Sequence, residues 1–213
     1  MADALLAGGT GLIGRALATA WAGPGTLHLL VRRTVPAPSP ACRVHVIDFS
    51  ALPALPPARD AFCCLGTTIS VAGSEAAFRA VDLDAVLAFA RASRAAGVRR
   101  FAVVSALGAD PHSRTFYNRV KGEMEAALAA LGFDSLVIAR PSLLAGDRAS
   151  LGQPQRRAER LALAVTRPLA GLIPKAWRPI RGETVARALI KEMADPLPGI
   201  RVLESATLQD RGR

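Results

Sequence analysis

Short apolar runs alternate with longer stretches in which apolar residues recur every three or four positions. "ADALLAG" at the start reads as a strand, and Gly11 to Ala22 then places Leu12, Ile13, Ala16, Leu17 and Ala20 on one helical face. "TLHLLVRR", "CRVHVIDF" and "RDAFCCLG" read as a second, third and fourth strand, separated by Pro-rich loops at 36–40 and 53–57. The spacing predicts a helix from about Glu75 to Ala96, closed by Gly97, before "RRFAVVSALG" supplies a fifth strand. A further helix is predicted from about Ser113 to Leu131, stopped by Gly132, and "FDSLVIARP" is the sixth strand. Beyond Pro141 the pattern loosens around Gly146, Gly152, Pro154, Pro168, Gly171, Pro174 and Pro179, with one helical stretch near Pro154 to Val165. Residues 145–180 are expected to form a lid on the substrate side. "GETVARALIKEMAD" is the last helix and "GIRVLES" the final strand. Parallel neighbours need crossover connections, and strands apolar on both sides need cover on both faces. The expectation is an α/β fold, a doubly wound parallel sheet with helices on both faces, in one domain spanning 1–213.

The first turn of this pattern carries chemistry. Gly8, Gly11 and Gly14 form G-x-x-G-x-x-G between a strand and an amphipathic helix. Glycines there let the backbone turn sharply and approach a pyrophosphate, whose charge is favoured by the free N–H groups of the helix start. The pattern predicts a Rossmann-type dinucleotide site. No Lys-Ser or Lys-Thr follows Gly14, so a Walker-type phosphate loop is excluded. At the end of the second strand, where a carboxylate would hold the ribose hydroxyls of NAD, the chain has Arg32 and Arg33. Guanidiniums bind a 2′-phosphate through charge-assisted hydrogen bonds, so NADPH is expected to be preferred over NADH. The competing reading is a pair of solvated arginines. Asp48, ending the third strand, is placed either to meet the adenine amino group or to cap its own loop.

Composition changes this picture little. The chain of 213 residues carries a net charge of +10, but 24 of its 27 basic residues are arginines scattered singly or in pairs, and aromatics make up only 5%. No specific nucleic-acid site is expected from that dispersal. No apolar segment reaches the length of a membrane span, no leader reads as a signal peptide, and a cytoplasmic location is expected. Cys42, Cys63 and Cys64 lack the spacing of a zinc site and read as buried free thiols, and no other metal site can be assembled.

The second half of the chain supplies reactive side chains. Ser105 ends the fifth strand, and Tyr117 and Lys121 stand four apart on one helix face. A nearby ammonium stabilises a phenolate, so the phenol can exchange a proton near neutral pH. Tyr117 is the only tyrosine in the chain. Ser105 lacks the flanking glycines of a hydrolase nucleophile elbow. His28 and His45 read as packed or edge residues within strands, His112 is within reach of a substrate in its loop, and Trp177 either caps a pocket or fills the core.

These residues, with "CLGTT" at 64–68, "VDLDAVLAFARASRAAGVRRFAVVSALGAD" at 81–110, "YNRVKGEMEAAL", "RPSLLAGDR" and "VLESATLQDRGR", give the chain a close resemblance to the atypical branch of the short-chain dehydrogenase/reductase superfamily. The resemblance implies that Gly8, Thr10, Gly11, Leu12, Ile13 and Gly14 hold the pyrophosphate, and Arg32 and Arg33 the 2′-phosphate. It places Leu65, Gly66 and Thr67 by the inner ribose, and Pro141 and Leu143 by the nicotinamide. Ser105 would polarise a substrate carbonyl, Tyr117 act as general acid or base, and Lys121 bind the nicotinamide ribose while tuning Tyr117. Where many relatives carry Asn in the crossover helix, this chain reads Val81-Asp82-Leu83, which leaves their proton relay without that member. The implied activity is NADPH-dependent reduction of a small carbonyl compound. The alternatives are a non-catalytic nucleotide-responsive regulator and a nucleotide-sugar epimerase or dehydratase.

Overall fold

The computed structural model describes residues 3–145, 174–195 and 197–213. The helical stretch expected near Pro154 to Val165, and most of the expected lid, lie outside the described residues.

Seven strands form one parallel sheet: β1 (Ala4–Ala7), β2 (Leu27–Val31), β3 (Cys42–Val46), β4 (Asp60–Cys63), β5 (Arg100–Val104), β6 (Ser135–Arg140) and β9 (Gly199–Glu204). Their order across the sheet is β3-β2-β1-β4-β5-β6-β9. Each strand is shorter than its apolar run, because the flanking residues leave the ladder to enter loops. Two-residue strands β7 (Leu144–Ala145) and β8 (Ile180–Arg181) pair separately and had no signal in the sequence.

Period-2 alternation sends neighbouring strand residues to opposite faces, and the helices cover both. On one face Ala4, Leu6, Phe62, Ala102 and Val137 pack under α1 (Leu12–Thr19) and α6 (Gly182–Ala194). On the other, Leu5, Ala7, Ala61, Phe101 and Ile138 pack under a long helical segment and under α5 (Phe116–Ala129). The doubly wound architecture is therefore the one expected. The long segment starts where expected, with Ser74 Oγ accepting from Ala77 N–H as an N-cap. It is preceded by a short α2 (Ile69–Ala72), and it is not one helix: α3 (Glu75–Arg79) passes through a π-helical turn (Ala80–Ala85) into α4 (Val86–Ala95). A π-turn inserts one residue without erasing the apolar periodicity, so pattern alone reads straight through it.

The chain ends in α7 (Ser205–Arg211), which the sequence pattern does not separate from β9. A buried carboxylate fixes it: Glu192 of α6, with a fully buried side chain, lies 2.6 Å from Arg201 of β9 and also pairs with Arg211 of α7. His28 and His45 do not merely pack. Their rings join Nδ1 to Nε2 at 2.9 Å, and His28 Nε2 reaches Asp3 at 3.1 Å.

α5 is drawn against the loop that follows Ser105 by a close backbone approach. A Cβ on Gly122 would stand inside 3.0 Å of Pro111 N and of the Asp110 carbonyl carbon, so only glycine fits between helix and loop. Alanine gains roughly 1 kcal/mol of helix propensity over glycine, while forcing backbone apart costs about 1 to 3 kcal/mol. Gly122→Ala is expected to lower stability by up to about 2 kcal/mol, read by urea unfolding; a stabilised variant would mean that this approach does not constrain the helix.

Candidate functional site

Strand order reverses between β1 and β4, since the chain leaves β1 toward β2 on one side and later returns to β4 on the other. Such a switch opens a crevice beyond the carboxyl ends of the strands, because the two connections diverge to opposite faces. The described residues form a cleft of about 480 Å³ there, lined by Gly8, Gly11, Arg32, Leu65, Thr67 and Val81 among others.

The glycine turn makes its floor. Gly8 adopts φ +81, and a Cβ on it would overlap the carbonyl of Cys64 at the end of β4. A Cβ on Gly14 would in turn overlap the Gly8 carbonyl, so α1 can start against the turn only with glycine there. Gly11 is the N-cap of α1 and supplies no side-chain cap, and the first turn holds no carboxylate. The N–H groups at this end lack intrahelical partners and carry the positive end of the helix dipole, an arrangement suited to a pyrophosphate.

Of the residues expected to hold a nucleotide, Gly8, Thr10, Gly11, Arg32, Leu65, Gly66 and Thr67 line this cleft. Leu12 lies at the first position of α1, whereas the Ile13 side chain is 5% exposed and belongs to the core, leaving it only its backbone to offer. Arg33 is exposed and is not among the residues lining the cleft. Asp48 is also outside it. Its Oδ1 accepts from Ser50 N–H at 2.8 Å and from Ser50 Oγ–H at 2.7 Å, and these bonds hold its carboxyl below the usual carboxylate range. Asp48 thus caps its loop, the second of the two readings, and its neighbour Phe49 lines the cleft instead. Pro141 is buried and Leu143 exposed on the segment after β6, where the Leu143 carbonyl accepts from Ile180 N–H.

Behind the loop 65–67 stands a buried ion pair. Lys121 Nζ lies 2.7 Å from Asp82 Oδ1, with side-chain exposures of 3% and 0%. Asp82 Oδ2 accepts from Thr67 N–H at 2.8 Å, and Gly66 sits so close that a Cβ on it would touch Asp82 Oδ1. Lys121 also donates to the Val104 carbonyl at 3.5 Å, immediately before Ser105. Burial disfavours the ammonium, but Asp82 and Tyr117 outweigh it and hold the Lys121 pKa above the ordinary lysine value. Ser105 Oγ is buried with no hydrogen-bond partner among the described residues. Tyr117 is half-buried, its ring 5.1 Å from that of Phe78. Sequence reasoning noted Asp82 only as a departure. The signal available was an acidic residue inside an apolar helical run.

Of the remaining candidates only Cys64 lines the cleft. His112 is exposed, its N–H donating to Asp110, and Trp177 is 66% exposed and does not fill the core. Cys42 and Cys63 are buried free thiols and Cys64 is half-buried; burial pushes the Cys63 thiol up to about 12. No helix among the described residues is long and apolar enough to cross a membrane.

Comparison with known proteins gives this geometry a family. No family model matches the chain. Protein HTATIP2 of Rattus norvegicus is 36% identical over 177 residues, covering 79% of this chain and 69% of that protein. Protein fmp52, mitochondrial, of Emericella nidulans is 36% identical over 188 residues, covering 82% of this chain and 77% of that protein. Such fungal relatives are named as mitochondrial, which overturns the expectation of a cytoplasmic location. Among solved structures, MoeE5 in complex with UDP-glucuronic acid and NAD superposes with a TM-score of 0.73 at 21% identity, covering 94% of this chain and 75% of that one. The UDP-glucose 4-epimerase of Thermus thermophilus, in complex with NAD, gives 0.66 at 18% identity, over 98% and 81%. The two structures share the fold. With relatives above 30% identity over most of its length, the chain belongs to the atypical short-chain dehydrogenase/reductase superfamily, in the branch of the HTATIP2 and Fmp52 proteins.

Proposed function

We propose that the protein is an NADP(H)-dependent oxidoreductase that reduces a small carbonyl compound. The observation that carries this reading is the convergence at the β1/β4 switch of an anion-accepting turn, the Arg32 guanidinium and, behind the loop 65–67, the buried Lys121 ammonium. Turn and helix start fit a pyrophosphate, Arg32 fits a 2′-phosphate, and Leu65, Gly66 and Thr67 fit the inner ribose. Pro141 and Leu143, on the segment after β6, are assigned to the nicotinamide end.

When bound, the nicotinamide supplies or accepts a hydride. The protein does the rest. Ser105 Oγ–H, without another partner among the described residues, holds the carbonyl oxygen. Tyr117 donates its phenolic proton to that oxygen as negative charge develops there, and recovers one from solvent afterwards. Lys121, one helical turn on, stabilises the phenolate and reaches the nicotinamide ribose. Phe49, Val71 and Ala72 line the cleft and offer the adenine an apolar surface. Because MoeE5 was solved with UDP-glucuronic acid as well as NAD, sugar nucleotides belong in the substrate panel beside aldehydes, ketones and quinones.

NADPH is expected to bind more tightly than NADH, with the preference carried mainly by Arg32. Fluorescence titration should find Arg32→Ala losing on the order of 1.5 to 3 kcal/mol of NADPH affinity, Arg33→Ala much less, and neither affecting NADH. Equal affinities in the unaltered protein would remove the case for NADP.

Tyr117→Phe is expected to keep NADPH affinity and to lower turnover by roughly 10²- to 10⁴-fold, followed as loss of NADPH absorbance. Turnover unchanged in that variant would overturn the proton-donor role. Tight NADPH binding with no carbonyl compound reduced would favour a nucleotide-responsive regulator instead.

A further inference from the structure

We infer that Asp82 is a positioning residue: the two oxygens of its carboxylate fix Lys121 and the loop 65–67 as one unit, so that the seat of the nucleotide and the cation behind it move together. The inference deepens the proposed nucleotide reading and rests on it only for its binding arm.

Three independent features converge on Asp82. It sits in the π-turn, whose residues Val81 and Ala85 themselves line the cleft. That turn displaces the helix hydrogen bonding locally, and such turns recur at functional sites. Its Oδ1 faces Lys121 Nζ at 2.7 Å while its Oδ2 holds the Thr67 N–H at 2.8 Å, so a single group spans from α5 to the loop after β4. Gly66, between the cleft and the pair, lets the backbone lie directly against both charged groups.

The chemistry makes the carboxylate indispensable rather than ornamental. An ammonium as buried as Lys121 sheds its proton unless a negative charge accompanies it. Among the described residues that face it, the Val104 carbonyl from β5 is neutral and the Cys63 thiol from β4, pushed up to about 12, stays protonated, while Tyr117 on α5 supports the ammonium less than Asp82 does. Asp82 is thus the partner that keeps Lys121 cationic, and it does so through the same carboxylate that shapes the nucleotide loop. An amide in its place accepts from Thr67 N–H equally well but brings no charge, so Asp82→Asn separates the two tasks.

The test reads Lys121 directly. The chain has three lysines, 121, 175 and 191, so protein labelled with carbon-13 at lysine Cε gives three signals, and Lys121 is assigned by its loss in Lys121→Met. In the unaltered protein Lys121 should remain protonated through the ordinary lysine value of 10.5. In Asp82→Asn its proton affinity should fall on the order of tenfold or more. NADPH affinity, followed between about pH 7 and pH 10, should be flat in the unaltered protein and should fall on the order of tenfold toward the alkaline end in Asp82→Asn. Adding Asp82→Asn to Lys121→Met should produce no further pH dependence. An Asp82→Asn protein with an unchanged Lys121 titration, or one whose alkaline loss of affinity persists in the Lys121→Met background, overturns the inference. Should Asp82→Asn fail to fold, the unaltered protein decides alone, because loss of the Lys121 proton below the ordinary lysine range also overturns it. The lysine titration needs no nucleotide, so a protein that binds no NADPH sinks the functional reading without touching this arm.

Discussion

Backbone meets backbone at the middle of the sheet, and much else follows from that contact. Gly8 lies against the carbonyl of Cys64, and Gly14 lies against Gly8, so the β1 turn, the start of α1 and the end of β4 share a space with no room for a side chain. A methyl group at either position would push α1 outward or β4 aside. The crevice opened by strand reversal would then lose its floor and the alignment of its N–H groups. Sequence, local geometry and anion chemistry are linked there by sterics alone.

The second constraint is electrostatic. Removing two charges from water costs several kcal/mol per ion, and a buried pair recovers this only with close geometry and further hydrogen bonds. Asp82 and Lys121 meet both conditions, through their 2.7 Å contact and through Thr67 N–H and the Val104 carbonyl. An apolar pair of similar volume would stabilise the core as well or better. In the proposed reading the pair serves the nucleotide site rather than stability, and the π-turn that presents Asp82 belongs to the same device. Glu192 provides the contrast: it too is buried, but its arginine partners tie the last strand and helix to α6, and none of the three lines the cleft.

What the sequence revealed divides along the same physical lines. Strands β1, β2, β4, β5 and β6 were legible because their apolar residues are buried on both faces, the edge strands β3 and β9 because short apolar runs alternate with polar residues, and α1, α5 and α6 because one apolar stripe faces the sheet. The glycine turn was legible because its spacing follows from backbone sterics. Two-residue strands, the π-turn and α7 carry too few residues for a periodic signal. Arg32 and Arg33 read alike, since position along the chain does not say which of two neighbours turns toward a cleft. Asp48 was ambiguous for a related reason: a short acidic side chain after a strand serves its own loop as readily as a ligand. Asp82 stood out only as a charge in an apolar run, and its partner lies 39 positions away.

The proposed function turns on the cleft at the β1/β4 switch seating a phosphorylated nicotinamide dinucleotide against the glycine turn, with Asp82 and Lys121 held together behind it. A crystal structure with NADPH soaked in addresses that point without intermediaries. The pyrophosphate should lie on the Gly8 to Gly11 turn and the 2′-phosphate on Arg32, with Lys121 still paired with Asp82 while facing the nicotinamide ribose. A nucleotide bound elsewhere, a 2′-phosphate turned away from Arg32, or a Lys121 that has left Asp82 would contradict it.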